Sequence, residues 1–252
     1  MDKDMSLKIT AFCPTLNRPE LLGRLIKCFE MQTYDNRELI ILDDGGQYCN
    51  QKGDKWELIS VPRRFRSLGE KNNAVMALAS FDSQAIAKAD DDDIYMPWWL
   101  ESLVDALGRG EFVQPRHAID FVGGQWVQSE TFNVKNRRFA YHGCWAYKRS
   151  LIEKSGGYRP EYAGDDQEME RRLKDKLGMV SVGIDEKRFQ PFYWYHRTLP
   201  GRLSDRTQQT RDPRRSYIDT GFGVPYVGKV PEYVGEAVWE RPIPTKVIQR
   251  QW

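Results

Sequence analysis

No stretch of this 252-residue chain approaches the run of about 20 apolar residues that spans a bilayer. Residues Met1 to Lys8 mix acids with lysines and lack the basic-then-apolar order of a secretion signal. The expectation is a cytoplasmic protein with no integral membrane segment, at most peripheral at the inner face of a membrane. Cysteine is scarce: Cys13, Cys28, Cys49 and Cys144 include no closely spaced pair, which weakens zinc and dithiol readings and points to reduced thiols. Neither sign of charge dominates, and a net charge of +2 says nothing of partners. Also missing are a glycine-rich loop of the nucleotide-hydrolase kind, a dinucleotide fingerprint, a nucleophile-elbow serine and any internal repeat.

What is present is ordinary globular composition, 40% hydrophobic and 29% charged, in a length that suits one large domain or two closely packed halves. The chain opens on a short apolar segment, Leu7 to Phe12, that reads as a buried strand. A loop marked by Pro14, Asn17 and Pro19 follows, and then a helix over Pro19 to Met31 with Leu22, Leu25, Ile26 and Phe29 at helical spacing. Further strands are predicted over 38–42, 56–61 and 85–88, with a helix over 68–79. This alternation argues for an α/β fold with a largely parallel sheet. The second half is less regular. Helices are expected over 98–107 and 165–177, and strands over 118–127, 139–147 and 180–184. Residues 197–216 read as a polar, basic loop, and 217–252 as a tail rich in glycine, proline and aromatics.

In open parallel sheets ligands sit at the carboxyl ends of strands. Three polar clusters fall there: Pro14 to Arg18, Asp43-Asp44, and Asp90-Asp91-Asp92-Asp93. Adjacent carboxylates repel, so the last run serves as a solvated turn, as caps for the helix near Pro97, or as a place where a cation bridges a diphosphate. A helix-loop-helix calcium loop does not fit, because Ile94 and Tyr95 stand where an oxygen ligand and the turn glycine belong. Asp165-Asp166 begins a predicted helix, which suits N-capping. Taken alone, capping is the favoured reading; the pair also suits a carboxylate base for an acceptor hydroxyl, since a helix N-terminus keeps such a group ionised. His196, among aromatics and just ahead of the basic loop, is a packed residue or a third metal ligand. His117 and His142 have no comparable setting and carry no assignment. Trp98, Trp99 and Trp126 are either core or stacking surfaces.

Taken in order, these segments resemble the GT-A glycosyltransferases of the large inverting family 2, over residues 7–200. Pro14-Thr15-Leu16-Asn17-Arg18-Pro19 is similar to the family's opening loop, with Leu16 in place of the usual aromatic. Ile40-Ile41-Leu42-Asp43-Asp44-Gly45 resembles its Val-Asp-Asp-Gly strand end, and Lys71-Asn72 stands where Arg-Asn is common. Asp90 to Asp93 with Ile94-Tyr95-Met96-Pro97 resembles the Asp-x-Asp metal motif. Asp165-Asp166, followed by Met169, Arg172 and Leu173, resembles the Glu-Asp base motif.

The resemblance implies a Rossmann-like GT-A fold: a mixed, mainly parallel central sheet flanked by helices, with a C-terminal extension. It implies a nucleotide-sugar-binding half over 1–97, an acceptor-binding and catalytic half over 98–200, and a loop and extension over 201–252. Thr15, Arg18, Asp44 and Lys71 would hold the nucleoside, and Asp90 and Asp91 would face the ribose and diphosphate. Asp92, with His196, would bind Mn²⁺ or Mg²⁺. Asp166, helped by Asp165, would be the general base. The implied function is inverting transfer of a sugar from a nucleotide-sugar, commonly a UDP-sugar, to an acceptor hydroxyl. The acceptors open to such a chain are a glycan, a lipid-linked sugar, or hydroxylated bases of phage DNA. The arginine clusters at 63–66, 137–138 and 214–215 suit a phosphate-rich acceptor, and equally suit a solvated surface. Two other classes compete: a non-catalytic nucleotide-sugar-binding module, against which the intact base argues, and a nucleotidyltransferase, which calls for a glycine-rich, arginine-containing loop after the first strand.

Overall fold

The computed structural model describes residues 7–122, 125–130, 132–133, 138–139, 142–160, 165–189, 193–195 and 223–225. Its centre is β1 (Ile9–Thr15), whose Ile9, Ala11, Phe12 and Cys13 are fully buried. β1 lies parallel to β2 (Arg37–Asp43) on one side and to β5 (Ala85–Lys88) on the other. β2 in turn pairs in parallel with β4 (Trp56–Ser60). The apolar runs Leu39–Leu42 and Ala85–Ala87 are buried throughout, as parallel strands covered on both faces require. A short β3 (Gln51–Lys52) forms one edge. Beyond β5 the sheet turns antiparallel through β12 (Ala146–Lys148) and ends on β7 (Phe112–Val113), giving the order β3-β4-β2-β1-β5-β12-β7. This is the expected α/β architecture, a mixed sheet with a parallel middle.

A second sheet of order β14-β9-β8-β13-β6 joins β6 (Ile94–Tyr95), β8 (His117–Val122), β9 (Gln125–Glu130), β13 (Tyr193–Tyr195) and β14 (Gly223–Pro225). A two-stranded pair, β10 (Phe132–Asn133) with β11 (Arg138–Phe139), stands apart.

Helix α1 (Pro19–Glu30) starts with proline at its first position, where no backbone N–H is needed, and buries Leu22, Leu25, Ile26 and Phe29 as the periodicity predicts. Helix α2 (Leu68–Ala77) is capped by Ser67, whose hydroxyl accepts from the Glu70 N–H at 3.1 Å, while the Glu70 carboxylate accepts from the Arg66 N–H at 3.0 Å. Helix α3 (Trp99–Leu107) sinks Trp99, Leu100, Leu103 and Leu107 into the core. Trp99 is therefore core. Trp98 donates its indole N–H to the Phe189 carbonyl at 3.0 Å, and the side chain of Trp126 lies outside the described residues.

Three expectations need correction. The segment 118–127 is not one strand: β8 and β9 form an antiparallel hairpin in which Val122 faces Gln125. The segment 139–147 is also divided, because the chain turns at residues 142–145 before β12. The predicted strand 180–184 reduces to a single parallel bridge between Val182 and Val113. A helix α4 (Arg149–Ser155) was not anticipated; it stops at Gly156, whose φ of +75° supplies the left-handed cap. The helix over 165–177 is α5 (Asp165–Arg171), continued by a wider π turn over Arg172–Lys176 that closes with Leu177 N–H to the Arg172 carbonyl at 3.1 Å. A last short helix, α6, spans Glu186–Phe189. No helix among the described residues is long and apolar enough to cross a membrane.

Candidate active site

The chain leaves β1 for β2 and β4 on one side and returns to β5 on the other, so the carboxyl ends of β1, β2 and β5 surround a topological switch point. Thr15 ends β1, Asp43 ends β2 and Lys88 ends β5. Asn17, at φ +50°, bends the chain after β1, a conformation that asparagine adopts more readily than most side chains. Arg18 follows, its N–H donating to the Tyr48 hydroxyl at 3.0 Å.

Beyond this turn the expected residues connect by direct contacts. The Thr15 hydroxyl donates to Asp91 Oδ2 at 2.6 Å, and Arg18 Nη1 donates to Asp91 Oδ1 at 2.7 Å and to Asp92 Oδ2 at 3.3 Å. Lys71, buried on α2, donates to the Thr15 carbonyl and to Asp44 Oδ1, the latter at 2.6 Å. Asp44 also accepts from Arg64 Nη1 at 2.6 Å and from the Phe65 N–H at 3.1 Å. Asp43 has a different part. Its carboxylate takes the Gly45 and Gly46 N–H groups and the Ser60 hydroxyl, which makes it the pin of the turn rather than a ligand contact.

On the other side of the site, Lys88 Nζ donates to both oxygens of Asp166, at 2.9 and 3.0 Å, and lies 3.9 Å from Asp90 Oδ1. Helix α5 is held in place by Arg172, which pairs with Glu168 at 2.6 Å and donates to the carbonyls of Ser155 and Gly157. Asn73 of α2 adds a two-way clasp on the Tyr158 backbone, at 2.6 and 2.7 Å. Gly143 packs against the acidic run: a Cβ there would lie 2.4 Å from Asp90 Oδ2 and 3.0 Å from Asp93 Oδ2, so any other residue would have to displace these carboxylates. The Tyr95 hydroxyl accepts from the Asp90 N–H and donates to the Gly143 carbonyl, both at 2.7 Å.

Electrostatics divide the site in two. Burial pushes the Asp90 carboxyl up to about 6, with repulsion from Asp92, Asp166 and Asp91 adding to it and Lys88 opposing. Asp91 is raised as well, by burial first, against the pull of Arg18. Asp166 goes the other way. Burial alone would raise it, yet Lys88 and then His142 outweigh that and hold it below the usual carboxylate range.

The sequence therefore named Thr15, Arg18, Asp44, Lys71, Asp90, Asp91, Asp92 and Asp166; contacts join the first four to Asp91 and Asp92, while Lys88 reaches both Asp90 and Asp166. The Asp165 backbone begins α5, its side chain lies outside the described residues, and so does all of His196. Sequence reasoning missed Lys88 and His142, and treated Arg64 only as part of a basic cluster. Among the described residues no three His, Cys, Asp or Glu side chains are grouped so as to hold a metal ion.

The sequence model of glycosyl transferase family 2 matches residues 10–156, more than half of the chain. Over 102 residues the chain is 26% identical to an uncharacterized glycosyltransferase of Haemophilus influenzae, a match covering 38% of this chain and 32% of that protein. Over 127 residues it is 27% identical to an uncharacterized glycosyltransferase of a Nostoc species, covering 47% and 38% respectively. The matches thus span about a third of the length of these curated relatives. Among solved structures, S. aureus TarS 1-349 in complex with UDP-GlcNAc superposes with a TM-score of 0.58 at 14% identity, covering 77% of this chain and 59% of that one. The mannosyltransferase PcManGT from Pyrobaculum calidifontis, in complex with GDP-Man and Mn²⁺, gives a TM-score of 0.54 at 16% identity, covering 90% and 66%. At such identities the likeness speaks for the fold, which is the GT-A arrangement of a mostly parallel central sheet with flanking helices.

Proposed function

The chain belongs to glycosyl transferase family 2, and on that premise we propose that it moves a sugar from a UDP-sugar onto an acceptor hydroxyl in one inverting displacement. The observation that carries this reading is the meeting of two unlike sets at one sheet edge. Thr15, Arg18, Asp44, Lys71, Asp90 and Asp91 form a polar cradle at the ends of β1, β2 and β5, and an ionised carboxylate, Asp166, faces it through Lys88.

Within that reading, Asp44 and Lys71 orient the nucleoside, and Asp90 and Asp91 receive the ribose and diphosphate. The donor atoms offered by Asp90, Asp91 and Asp92 are all carboxylate oxygens, which suit Mg²⁺ or Mn²⁺, and such ions need only one or two protein carboxylates when a diphosphate completes the shell. The upward shifts of Asp90 and Asp91 mark an excess of buried negative charge that a cation relieves. Asp92, with His196, is the proposed ligand set. The ion, when bound, supplies stabilisation of the negative charge on the departing diphosphate. Asp166 takes the proton of the acceptor hydroxyl as the oxygen attacks the anomeric carbon. Lys88 keeps that carboxylate ionised and points both its oxygens.

The test is nucleotide release from a panel of UDP-, GDP- and TDP-sugars with Mn²⁺, by wild type and Asp166→Asn. The expected result is turnover of one donor, with kcat lowered about 10²- to 10⁴-fold in the variant and donor affinity kept. Near-normal turnover by Asp166→Asn contradicts the base assignment. Binding of a donor without turnover by wild type makes the chain a nucleotide-sugar-binding module instead.

A further inference from the structure

Two groups beside Asp166 have no part in the scheme so far. His142 Nδ1 lies 3.8 Å from Asp166 Oδ2, and the other ring nitrogen, Nε2, lies 3.9 Å from Glu170 Oε2. Glu170 is one turn along α5 from Asp166, is 1% exposed, and is held by Lys174 Nζ at 2.7 Å and Gln114 Nε2 at 3.3 Å. The imidazole stands edge-on to the Trp145 ring, with centroids 4.2 Å apart, and its Nε2 is buried with no hydrogen bond at this distance. The groups facing the imidazole are thus Asp166 and Glu170 from α5, with Lys174 and Gln114 behind Glu170, and Lys88 and Asp90 behind Asp166.

This placement has a direction. A carboxylate opposite Nε2 favours the tautomer with its proton there, which leaves the Nδ1 lone pair toward Asp166. Once Asp166 has taken a proton it no longer pairs with the buried ammonium of Lys88, and the Lys88 charge drives that proton off. Among the described residues the imidazole nitrogen that faces Asp166 is His142 Nδ1, 3.8 Å from Oδ2.

We propose that His142, backed by Glu170, accepts from Asp166 the proton that Asp166 has taken from the acceptor. The inference rests on the transferase reading above. In that step the acceptor O–H bond breaks, its electron pair forms the new C–O bond, and the nucleoside diphosphate leaves with the pair of the old one. The proton then passes from Asp166 to Nδ1 through one water spanning the 3.8 Å gap, which is longer than a direct hydrogen bond; Asp166 returns to its ion pair with Lys88, and the imidazolium returns the proton by the same route to solvent once the products leave. His142 acts through Asp166 and is a positioning residue.

The experiment uses the full chain, Mn²⁺ and the nucleotide sugar of the panel that wild type turns over. His142→Ala should lose about 10- to 100-fold in kcat with donor KM within about twofold. Added imidazole should restore turnover, and substituted imidazoles should restore it in the order of their basicity. Glu170→Gln, which leaves the ring in place, should also lower kcat at unchanged KM. Wild-type kcat in either variant overturns the proposal, as does full recovery in His142→Gln, whose amide fills space but takes no proton. A wild type that turns over no donor of the panel overturns the transferase reading and this inference together; an active wild type with silent variants overturns this inference alone.

Discussion

At the scale of single residues, the site depends on buried charges that are paired. Lys88 is the plainest case, at 4% exposure with its ammonium on both oxygens of Asp166. Removing one partner of such a pair leaves the other charge buried and unmatched, so Lys88→Met should cost about 3 kcal/mol at neutral pH. The sign of its pH dependence follows from Asp166. Its folded pKa lies below the unfolded value, so the pair's contribution is present above the unfolded carboxylate range and is lost as pH falls through the folded value. Urea unfolding of wild type and Lys88→Met should show a gap in stability at neutral pH that narrows in acid; a gap of equal size at both would contradict the pairing. Lys88 had a signal in the sequence, because a lysine at the end of the otherwise apolar strand Ala85-Ile86-Ala87 requires a carboxylate partner. His142 had none. Its meeting with Asp166 depends on the turn at 142–145 and on where α5 docks, and neither has a local pattern in the chain.

At the scale of elements, what was legible is what local chemistry dictates. The Ser67-x-x-Glu70 spacing caps α2 and so aims Lys71 at Asp44 and Thr15. Ser67→Ala should destabilise the fold by about 1 kcal/mol, measured as a lower denaturant midpoint at constant slope. It should weaken donor binding only as far as the Lys71 contacts loosen; an unchanged midpoint would show that the cap contributes nothing. The hairpin of β8 and β9 was readable in principle, because Gly123-Gly124 stands between two runs of strand-forming residues. Gly156-Gly157 likewise announces the end of α4. The segment 180–184 shows the opposite failure: it has strand composition, yet Val180 is exposed and the segment makes one bridge beside β7 rather than a ladder of its own.

At the scale of the whole molecule, the parallel middle of the sheet follows from four apolar segments and the helices between them, which is why the switch point could be placed from the sequence. The second sheet could not. It is built from partners far apart in the chain, such as Tyr193 opposite Tyr95 and Trp194 opposite Ile119, and no periodicity in either segment names the other. The central claim is that the carboxyl edge of the first sheet is a metal-assisted site for a nucleotide-sugar. Donor binding by calorimetry in Mn²⁺ and in EDTA, for wild type and Asp92→Ala, tests it most directly. Binding of one nucleotide-sugar that requires the metal and is weakened at least tenfold in Asp92→Ala is the predicted result; equal affinity with and without metal, or in the variant, would contradict it.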